Sequence, residues 1–576
     1  MSKLNIDQKT IKELFEDKKA DFLIPDYQRP YAWDENECDT LWNDVLSFAI
    51  PNNNYENFDN NEEYFLGPMV FFKNSKGQQE IIDRQQRLTT LMLLLRVCYK
   101  KLINMQDTNS IKTCENIAKC LWKTDEFGNP DMTKLKLDSE VVSDNDKNEF
   151  LELLKNGNII TGNKSKYTIN YQFFENKIDE FIQTYSGYFP YLATRILNNL
   201  ILLPIEAESQ DTALRIFSTL NDRGKPLSDA DIFKAQLYKY YVSKNEKEDF
   251  ICKWRLLEDK INSIFSPING GTPMDTLFTN YMYYERAKAG LKKSTTESLR
   301  GFYEKDKYKL LKNDYIFDNL ICLADFWKDI KEINKTKFNE QICKKLFILK
   351  YAPNGMWEYF VSVYFLHNKD NFNMDDFYNF LNKMIAFIWT YAITNPGVNA
   401  LRTPIYNEMV NIILNKPVEY SDYRFNVEKL KSIFNNFTFS YNRQITRSML
   451  TWWTFYDEKQ TIPEDINTKF DIEHIFAKNR QEKEKLLQNI ENIELLGNKV
   501  LLEKHINIRA SDYRFEDKKR YYLGQIKNKE KTNIIELIEL SNTKDDFIED
   551  DIIDRNNLII NTFIKYLRKC GLLLNE

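Results

Sequence analysis

Two short stretches decide the fold of the C-terminal part of this chain: Asp471-Ile472-Glu473-His474 and Leu496-Gly497-Asn498-Lys499-Val500-Leu501-Leu502. The first places carboxylates beside an imidazole. The second joins an amide to an apolar run that is typical of a buried strand. A further amide, Asn507, follows nine residues after Asn498. We therefore predict short strands embedded in helices, with polar groups gathered around them.

These residue types are the ones that a one-metal nuclease needs. An acid and one amide oxygen can hold a divalent cation against a phosphate, while an imidazole takes a proton from the attacking water and the other amide orients it. We predict His474, Asn498 and Asn507 as catalytic residues. The predicted ligands of Mg²⁺ or Mn²⁺ are Glu473, Asn507 and Asp471, because hard cations prefer oxygen donors.

The order and spacing of these residues resemble the HNH, or ββα-metal, nuclease motif. The chain has only three histidines, so one that lies beside an acid in this setting is informative. His505, two residues before Asn507, either approaches the metal or DNA or lies on a helix surface.

Length and composition are typical of an intracellular protein with several domains. The chain has 576 residues, of which 43% are hydrophobic, enough for two to four domains. The longest apolar run, residues 384–393, is too short to span a membrane, and the N-terminus lacks a signal-peptide core. The eight cysteines form no C-x-x-C pair, so reduced thiols are expected. We expect a cytoplasmic protein with no membrane partner.

A net charge of −5 gives no general basic surface. Contact with DNA therefore needs a local patch, and Lys518-Lys519-Arg520 is the candidate. The same three residues also suit the solvated face of a helix, and charge alone leaves both interpretations open.

Changes of pattern predict three domains, at residues 1–245, 246–430 and 431–576. The first mixes helices with strands at 21–25, 64–73, 79–83 and 200–206, and has an apolar helix at 84–102. Asp34 with Glu37, and Ser228 with Asp231, form capping pairs that predict two helix starts. The middle part is almost wholly helical. Tracts 51–63 and 104–113, rich in Asn and Asp, are predicted surface loops.

A polar cluster, Asp83-Arg84-Gln85-Gln86-Arg87, lies where the strand at 79–83 becomes a helix. Free N–H groups and the helix dipole favour an anion at such a junction, and Arg87 adds a bidentate phosphate donor. Upstream, Tyr27-Gln28-Arg29 and Trp33 supply a second arginine among aromatic rings. Taken alone, either segment is equally well explained by a capped helix or a packed loop with a surface arginine.

Together, these segments resemble a known family. Residues 24–33 (IPDYQRPYAW), 83–91 (DRQQRLTTL) and 217–234 (FSTLNDRGKPLSDADIFK) are similar to the N-terminal DUF262 domain of the GmrSD-type modification-dependent restriction proteins. Residues 472–475, 496–502 and 507–518 resemble the DUF1524 HNH nuclease domain of the same family.

The resemblance implies a ParB/sulfiredoxin-like N-terminal domain with a small mixed sheet that binds and hydrolyses an NTP. It also implies a helical middle and a C-terminal ββα-metal nuclease, so the expected class is α+β and predominantly helical. The residues that it implies for nucleotide binding are Tyr27, Gln28, Arg29, Trp33, Asp83, Arg84, Gln85, Gln86, Arg87, Asn221, Arg223 and Lys234.

Arg84 departs from the family pattern, which has glycine between the aspartate and the Gln-Gln-Arg. Glycine accepts a positive φ or a close phosphate more readily than arginine does. Arg84 therefore either contributes its own charge or impairs nucleotide turnover.

The sequence thus predicts a metal-dependent DNA endonuclease that acts on modified phage DNA in antiviral defence, with an NTP-binding regulatory domain. One alternative is a sensor of NTP or modified DNA without NTP hydrolysis, in which the nuclease half is the only catalyst. A more distant one is an interaction protein with a decayed site. Self-association into a homo-oligomer stays open.

Overall fold

The computed structural model divides the chain into two compact units, Met1–Arg255 and Leu256–Glu576. It describes residues 5–6, 8–141, 146–159, 165–210, 212–213, 216, 228–266, 271–527 and 529–574. Helices make up 62% of the structure, with small mixed and antiparallel sheets. The predicted class, α+β and predominantly helical, is confirmed, while the three-domain division stays a prediction.

A mixed sheet organises the first unit. Its strands are β1 (Asn5–Ile6), β2 (Lys9–Thr10), β3 (Phe22–Ile24), β4 (Tyr64–Lys73), β5 (Gln79–Ile81), β8 (Leu137–Ser139) and β9 (Leu200–Ala207). Their order is β1-β9-β4-β5-β3-β8, and β2 also pairs with β9. β4 is parallel to β9 and antiparallel to β5. A separate hairpin joins β6 (Trp122–Thr124) to β7 (Pro130–Leu135).

Helices pack around this sheet. They are α1 (Ile11–Glu16), α2 (Glu35–Ala49), α3 (Gln85–Leu102), α4 (Thr108–Leu121), α5 (Lys147–Asn156), α6 (Lys166–Tyr185), α7 (Phe189–Asn199) and α8 (Asp229–Ser243), and the next helix along the chain is α9 (Lys247–Ile264). α3 is buried along most of its length, which explains why its apolar residues fill all faces and not one stripe.

Most predicted elements of the first unit are confirmed. The predicted capping pairs form at Asp34 and at Ser228. The expected loop at 104–113 is wrong in its second half, because Asp107 caps α4 and the helix begins at Thr108. A polar first turn on an otherwise amphipathic helix resembles a loop in composition. Most of the family-like segment at 217–234 lies outside the described residues, which resume at Ser228.

The described residues of the second unit form helices and one strand pair. Its helices are α10 (Pro273–Lys288), α11 (Leu299–Tyr303), α12 (Lys305–Tyr308), α13 (Asp314–Glu332), α14 (Glu340–Leu349), α15 (Met356–Asn368), α16 (Met374–Thr394), α17 (Val398–Ile413), α18 (Val427–Asn436), α19 (Gln444–Tyr456), α20 (Lys478–Glu484), α21 (Lys504–Ala510), α22 (Phe515–Tyr522), α23 (Ile535–Thr543) and α24 (Glu549–Lys569). The strands are β10 (Phe470–His474) and β11 (Lys499–Glu503), which run antiparallel. In the described part of the chain, no helix combines the length and apolar character needed to cross a membrane.

Candidate active site and N-terminal anion site

The strand pair of the second unit carries the candidate active site. In its register, His474 lies opposite Lys499 and Glu473 opposite Val500. α21 begins directly after β11, contacts both strands and carries Asn507. The local order is therefore strand, strand, helix, which is the order that the HNH resemblance implies.

Asn498 braces the backbone immediately after His474. It is fully buried. Its Oδ1 accepts from the Phe476 N–H at 2.7 Å, and its Nδ2 donates to the carbonyls of Phe476 and Ile493, both at 3.1 Å. The prediction gave this amide the task of orienting the imidazole. In the structure it bonds the chain that follows the imidazole, so any orienting effect acts through the backbone.

The imidazole of His474 is held in its neutral form. Burial, together with the nearby Lys499 and Lys478, lowers the pKa of His474 to about 3, while Glu494 acts in the opposite direction. Its Nε2 is buried and has no hydrogen-bond partner among the described residues. A neutral imidazole with a free ring nitrogen can accept a proton, although so low a pKa makes it a weak base.

An ion-pair trio with one buried member, Lys499, lies beside this histidine. The fully buried ammonium of Lys499 donates to Glu494 Oε2 at 2.7 Å, and Lys478 bonds the other carboxylate oxygen. Burial alone would raise the pKa of Glu494, but the two lysines bring it down to about 2. The trio therefore keeps positive charge next to the imidazole, which disfavours its protonation.

Glu473 is paired with a lysine inside the site. Its Oε1 accepts from Lys518 Nζ and from the Tyr522 hydroxyl, each at 2.6 Å. The same ammonium donates to the His474 carbonyl at 2.7 Å, and the Lys518 side chain is only 1% exposed. The predicted surface contact of Lys518 with DNA is wrong in this structure, because a buried ammonium cannot reach a phosphate.

The other two members of the predicted basic patch lie further out. Lys519 is partly buried and donates to the Lys544 carbonyl at 2.8 Å. Arg520 is exposed, as a DNA contact requires. His505 is also exposed and lies 3.7 Å from Glu530 Oε2, as expected for a helix-surface residue.

Asp471 belongs to a second polar group on β10. Its Oδ1 accepts from the Tyr441 hydroxyl at 2.8 Å and from Arg447 Nη2 at 3.1 Å. Burial would raise the pKa of Asp471, but these bonds and the Ile472 N–H lower it. A cavity of about 360 Å³ opens beside it, lined by several basic side chains. They are Lys350, Arg447, Lys469 and Lys504.

The oxygen donors around Glu473 suit a hard divalent cation. Glu473 offers a carboxylate, and the half-buried Asn507 offers an amide with no side-chain hydrogen bond to the described residues. The ammonium of Lys518 already rests on Glu473 Oε1 and the His474 carbonyl, so these oxygens accept a positive charge. The set fits a cation such as Mg²⁺ in kind. Among the described residues, no cluster of three His, Cys, Asp or Glu side chains could hold a metal, so the amide and the substrate would have to complete the shell.

In the first unit, Arg84 stands at the start of α3 with φ +70° and ψ +15°. This left-handed conformation is the one for which glycine is favoured. The Arg84 guanidinium lies over Gly67, where an added Cβ would be 3.4 Å from Nη2, and its Nε donates to the Pro68 carbonyl at 3.3 Å. The side chain thus lies along strand β4 while the backbone keeps the turn.

The two glutamines of the junction hold the upstream motif in place. Gln86 donates to the Pro30 carbonyl at 3.1 Å and accepts from the Ala32 N–H at 2.6 Å. Gln85 donates to the Arg29 carbonyl at 3.2 Å, and its buried Oε1 has no partner in the part of the chain that the structure describes. Gln28 reaches back to the carbonyls of residues 81 and 82. The two motifs are therefore joined by hydrogen bonds, and many of their polar groups are bonded within the protein.

Arginines converge on Asp83 at this junction. Burial raises the pKa of Asp83, while the nearby Arg84, Arg87 and Arg29 act to lower it. Arg87 donates through Nη1 to the Leu66 carbonyl, and its buried Nε has no partner among the described residues. Three guanidinium groups around one carboxylate leave an excess of positive charge beside the first turn of α3, which favours an anion.

The remaining predicted nucleotide-binding residues differ in their surroundings. Tyr27 is buried, with its ring 5.4 Å from that of Tyr238 on α8. Trp33 is partly buried against the core. Lys234 is buried on α8, with its ammonium 5.6 Å from the Trp254 ring. Asn221 and Arg223 lie outside the described residues.

Sequence reasoning missed the groups that hold the active site together. Lys499 lies within the motif and Tyr522 lies near it. Neither the charge of the first nor the hydroxyl of the second indicated which residue it would contact. Arg555 on α24 donates to the carbonyls of Leu496, Gly497 and Lys499 at 2.8–3.0 Å. A charged residue on the apolar face of an amphipathic helix was the signal that could have identified it.

Two models of one protein family match this chain. Residues 11–238 match the model of the GmrSD restriction endonuclease, N-terminal domain, and residues 425–562 match that of the GmrSD restriction endonucleases, C-terminal domain. No curated protein matches the chain. The two matches together span more than half of the sequence, in the predicted order. The chain belongs to the GmrSD restriction endonuclease family, which makes it a nuclease with DNA as its substrate.

Proposed function

We propose that the chain is a divalent-metal-dependent DNA endonuclease of the HNH type, with His474 as its general base. The observation that carries this proposal is the neutral imidazole, whose buried Nε2 has no partner among the described residues, set one residue from an acid and opposite Lys499. A structural histidine with a buried ring nitrogen would be expected to have that nitrogen hydrogen-bonded.

The residues of the chain divide the work. His474 takes the proton of the attacking water, and Asn498 fixes the backbone that follows it. Glu473 and Asn507 hold the cation, with Asp471 as the remaining predicted ligand. When bound, Mg²⁺ or Mn²⁺ supplies Lewis-acid stabilisation of the scissile phosphate. Lys469, Lys504 and Arg520 are exposed and are suited to contact the DNA backbone.

The N-terminal junction is proposed to bind the phosphates of an NTP and to regulate cleavage of modified phage DNA in the cytoplasm. The support is the arginine group around Asp83, together with the unpaired Arg87 Nε at the start of an 18-residue helix. NTP hydrolysis is the main hypothesis. Binding without hydrolysis is the second, and it is favoured by the arginine that replaces glycine at position 84.

Plasmid cleavage tests the nuclease proposal. His474→Ala should lower the cleavage rate by about 10²–10⁴-fold, the usual loss for a general base, while His505→Ala, an exposed control on the same motif, should cut normally. EDTA should abolish cleavage, and Mg²⁺ or Mn²⁺ should restore it. Cleavage by a folded His474→Ala variant at the wild-type rate would remove His474 from the mechanism.

Nucleotide titration tests the N-terminal proposal. Arg87→Ala should weaken NTP binding by about 1.5–3 kcal/mol if a charge-assisted bond is lost. Phosphate release measured on the wild-type protein then separates hydrolysis from binding alone. Equal NTP affinity in the wild-type and variant proteins would show that the junction is only a helix start.

A further inference from the structure

A cavity of about 1120 Å³ lies within the second unit, among α14, α16, α19 and α24. None of its lining residues belongs to β10, β11 or α21, so it is separate from the nuclease site described above. Its volume is ample for a ligand the size of a nucleotide.

A buried lysine stands in the wall of this cavity. Lys345 is 5% exposed. Its ammonium lies 5.4–5.8 Å from the ring centroids of Tyr378, Tyr456 and Tyr566, which also line the cavity. No described residue accepts a hydrogen bond from it or forms an ion pair with it. The rings offset part of the cost of burying this charge, and an anion in the cavity would supply the acceptor that the ammonium lacks among the described residues.

The rest of the lining has the same character. Five lysines face three carboxylates there, and they include Lys344, whose ammonium donates to the Asp457 and Glu458 carbonyls. Burial lowers the pKa of Lys345 to about 8, so it remains mostly protonated at neutral pH. Side-chain amides such as Asn379 complete the wall. The cavity thus combines positive charge, ring faces and neutral hydrogen-bonding groups.

We propose that this cavity binds a nucleoside phosphate, with the phosphate on Lys345 and the base against Tyr378, which is partly exposed. An anion in the cavity would pair the ammonium of Lys345. A flat heterocycle suits a ring face, because every base stacks on aromatic side chains. The site is distinct from the N-terminal junction, so its occupancy does not depend on that proposal.

Calorimetry on the full chain tests this, with AMP, GMP, CMP and UMP as separate probes. At least one of them should bind. Lys345→Met keeps the side-chain length but removes the charge, and it should weaken binding about tenfold or more. Lys345→Arg should retain binding, and Lys416→Met, an exposed lysine outside the cavity, should match the wild-type protein.

The outcomes separate clearly. Loss of binding in Lys345→Met but not in Lys416→Met supports the cavity site. If Lys345→Met does not fold, Lys383→Met, which alters another lysine of the lining, takes its place under the same criteria. The proposal is overturned if no monophosphate binds, if the cavity variant binds as the wild-type protein does, or if only inorganic phosphate or a 5′-phosphorylated duplex binds.

Discussion

Replacing Lys518 by methionine discriminates between a surface DNA contact and a buried ion pair. The lysine and Glu473 side chains are 1% and 6% exposed, with 2.6 Å between Nζ and Oε1. Methionine fills a similar volume but leaves the carboxylate buried, with the Tyr522 hydroxyl as its remaining donor among the described residues. Breaking a buried pair from one side costs about 3–5 kcal/mol, and we expect a loss of this size in the stability of β10.

A double-mutant cycle isolates the pair. Glu473→Gln removes the negative charge of the pair. The double variant therefore leaves no buried charge without its partner. We therefore expect the double variant to be less destabilised than the sum of the single variants, with a coupling energy of about 2–3 kcal/mol. Hydrogen exchange of peptides covering residues 470–476 in the full chain reports local opening there, without requiring the two units to unfold together.

The opposite result has its own signature. If Lys518 contacts phosphate, Lys518→Met should leave exchange at β10 unchanged. DNA affinity should fall, with a salt dependence reduced by about one counterion. A coupling energy below about 0.5 kcal/mol would also refute the buried pair, because residues that do not interact are additive to that level.

Three further expectations follow from the same contacts. Asn498→Ala removes three buried hydrogen bonds, so it should lower the free energy of unfolding by about 2–4 kcal/mol and the melting temperature with it. Asn507→Ala should change the free energy of unfolding by no more than about 0.5 kcal/mol. Equal losses for the two variants in thermal melts would contradict this difference. The pKa of His474 falls from 6.5 to about 3 on folding, so the unfolded chain binds a proton there more readily than the folded protein does. In urea titrations, the wild-type protein should therefore lose stability relative to His474→Gln as the pH drops from about 6.5 to about 3. Parallel stability curves for the two proteins would argue against this pKa shift. Arg84→Gly should be more stable than Arg84→Ala by about 1–2 kcal/mol, because only glycine adopts φ +70° without steric cost, and identical melting temperatures would mean that this turn relaxes.

Local patterns were enough to predict much of the fold. The capping pairs at Asp34 and Ser228 depend on residues three positions apart, and the apolar run of α3 depends on its own composition, so both are encoded nearby. The strands at 122–139 were not predicted. They are short, and β8 is placed by its pairing with β3, which is a contact between segments more than a hundred residues apart.

The candidate sites show the same limit. The motif gave His474 and its neighbours in sequence, but the partners of those residues come from elsewhere. Lys518 carries a charge that suggests an exposed position, and only the packing of α22 against β10 shows that Glu473 binds it. Likewise, the side-chain amide of Gln86 has the chemistry to bond a ligand. In the structure, its Nε2 donates to the Pro30 carbonyl and its Oε1 accepts from the Ala32 N–H.

The close packing of Gly497 against α24 has a consequence for biosynthesis. A Cβ at this position would lie 1.9 Å from the Ile552 carbonyl oxygen, so the turn that precedes β11 is shaped against a helix made some fifty residues later. A ribosome therefore releases both nuclease strands before the helix that fixes them exists. Until residues 552–556 have emerged, the nascent chain carries the motif but lacks the helix against which it packs. Cleavage activity should therefore arise only in nearly complete chains. Chains stopped before Ile552 should show rapid hydrogen exchange in β11 and no cleavage.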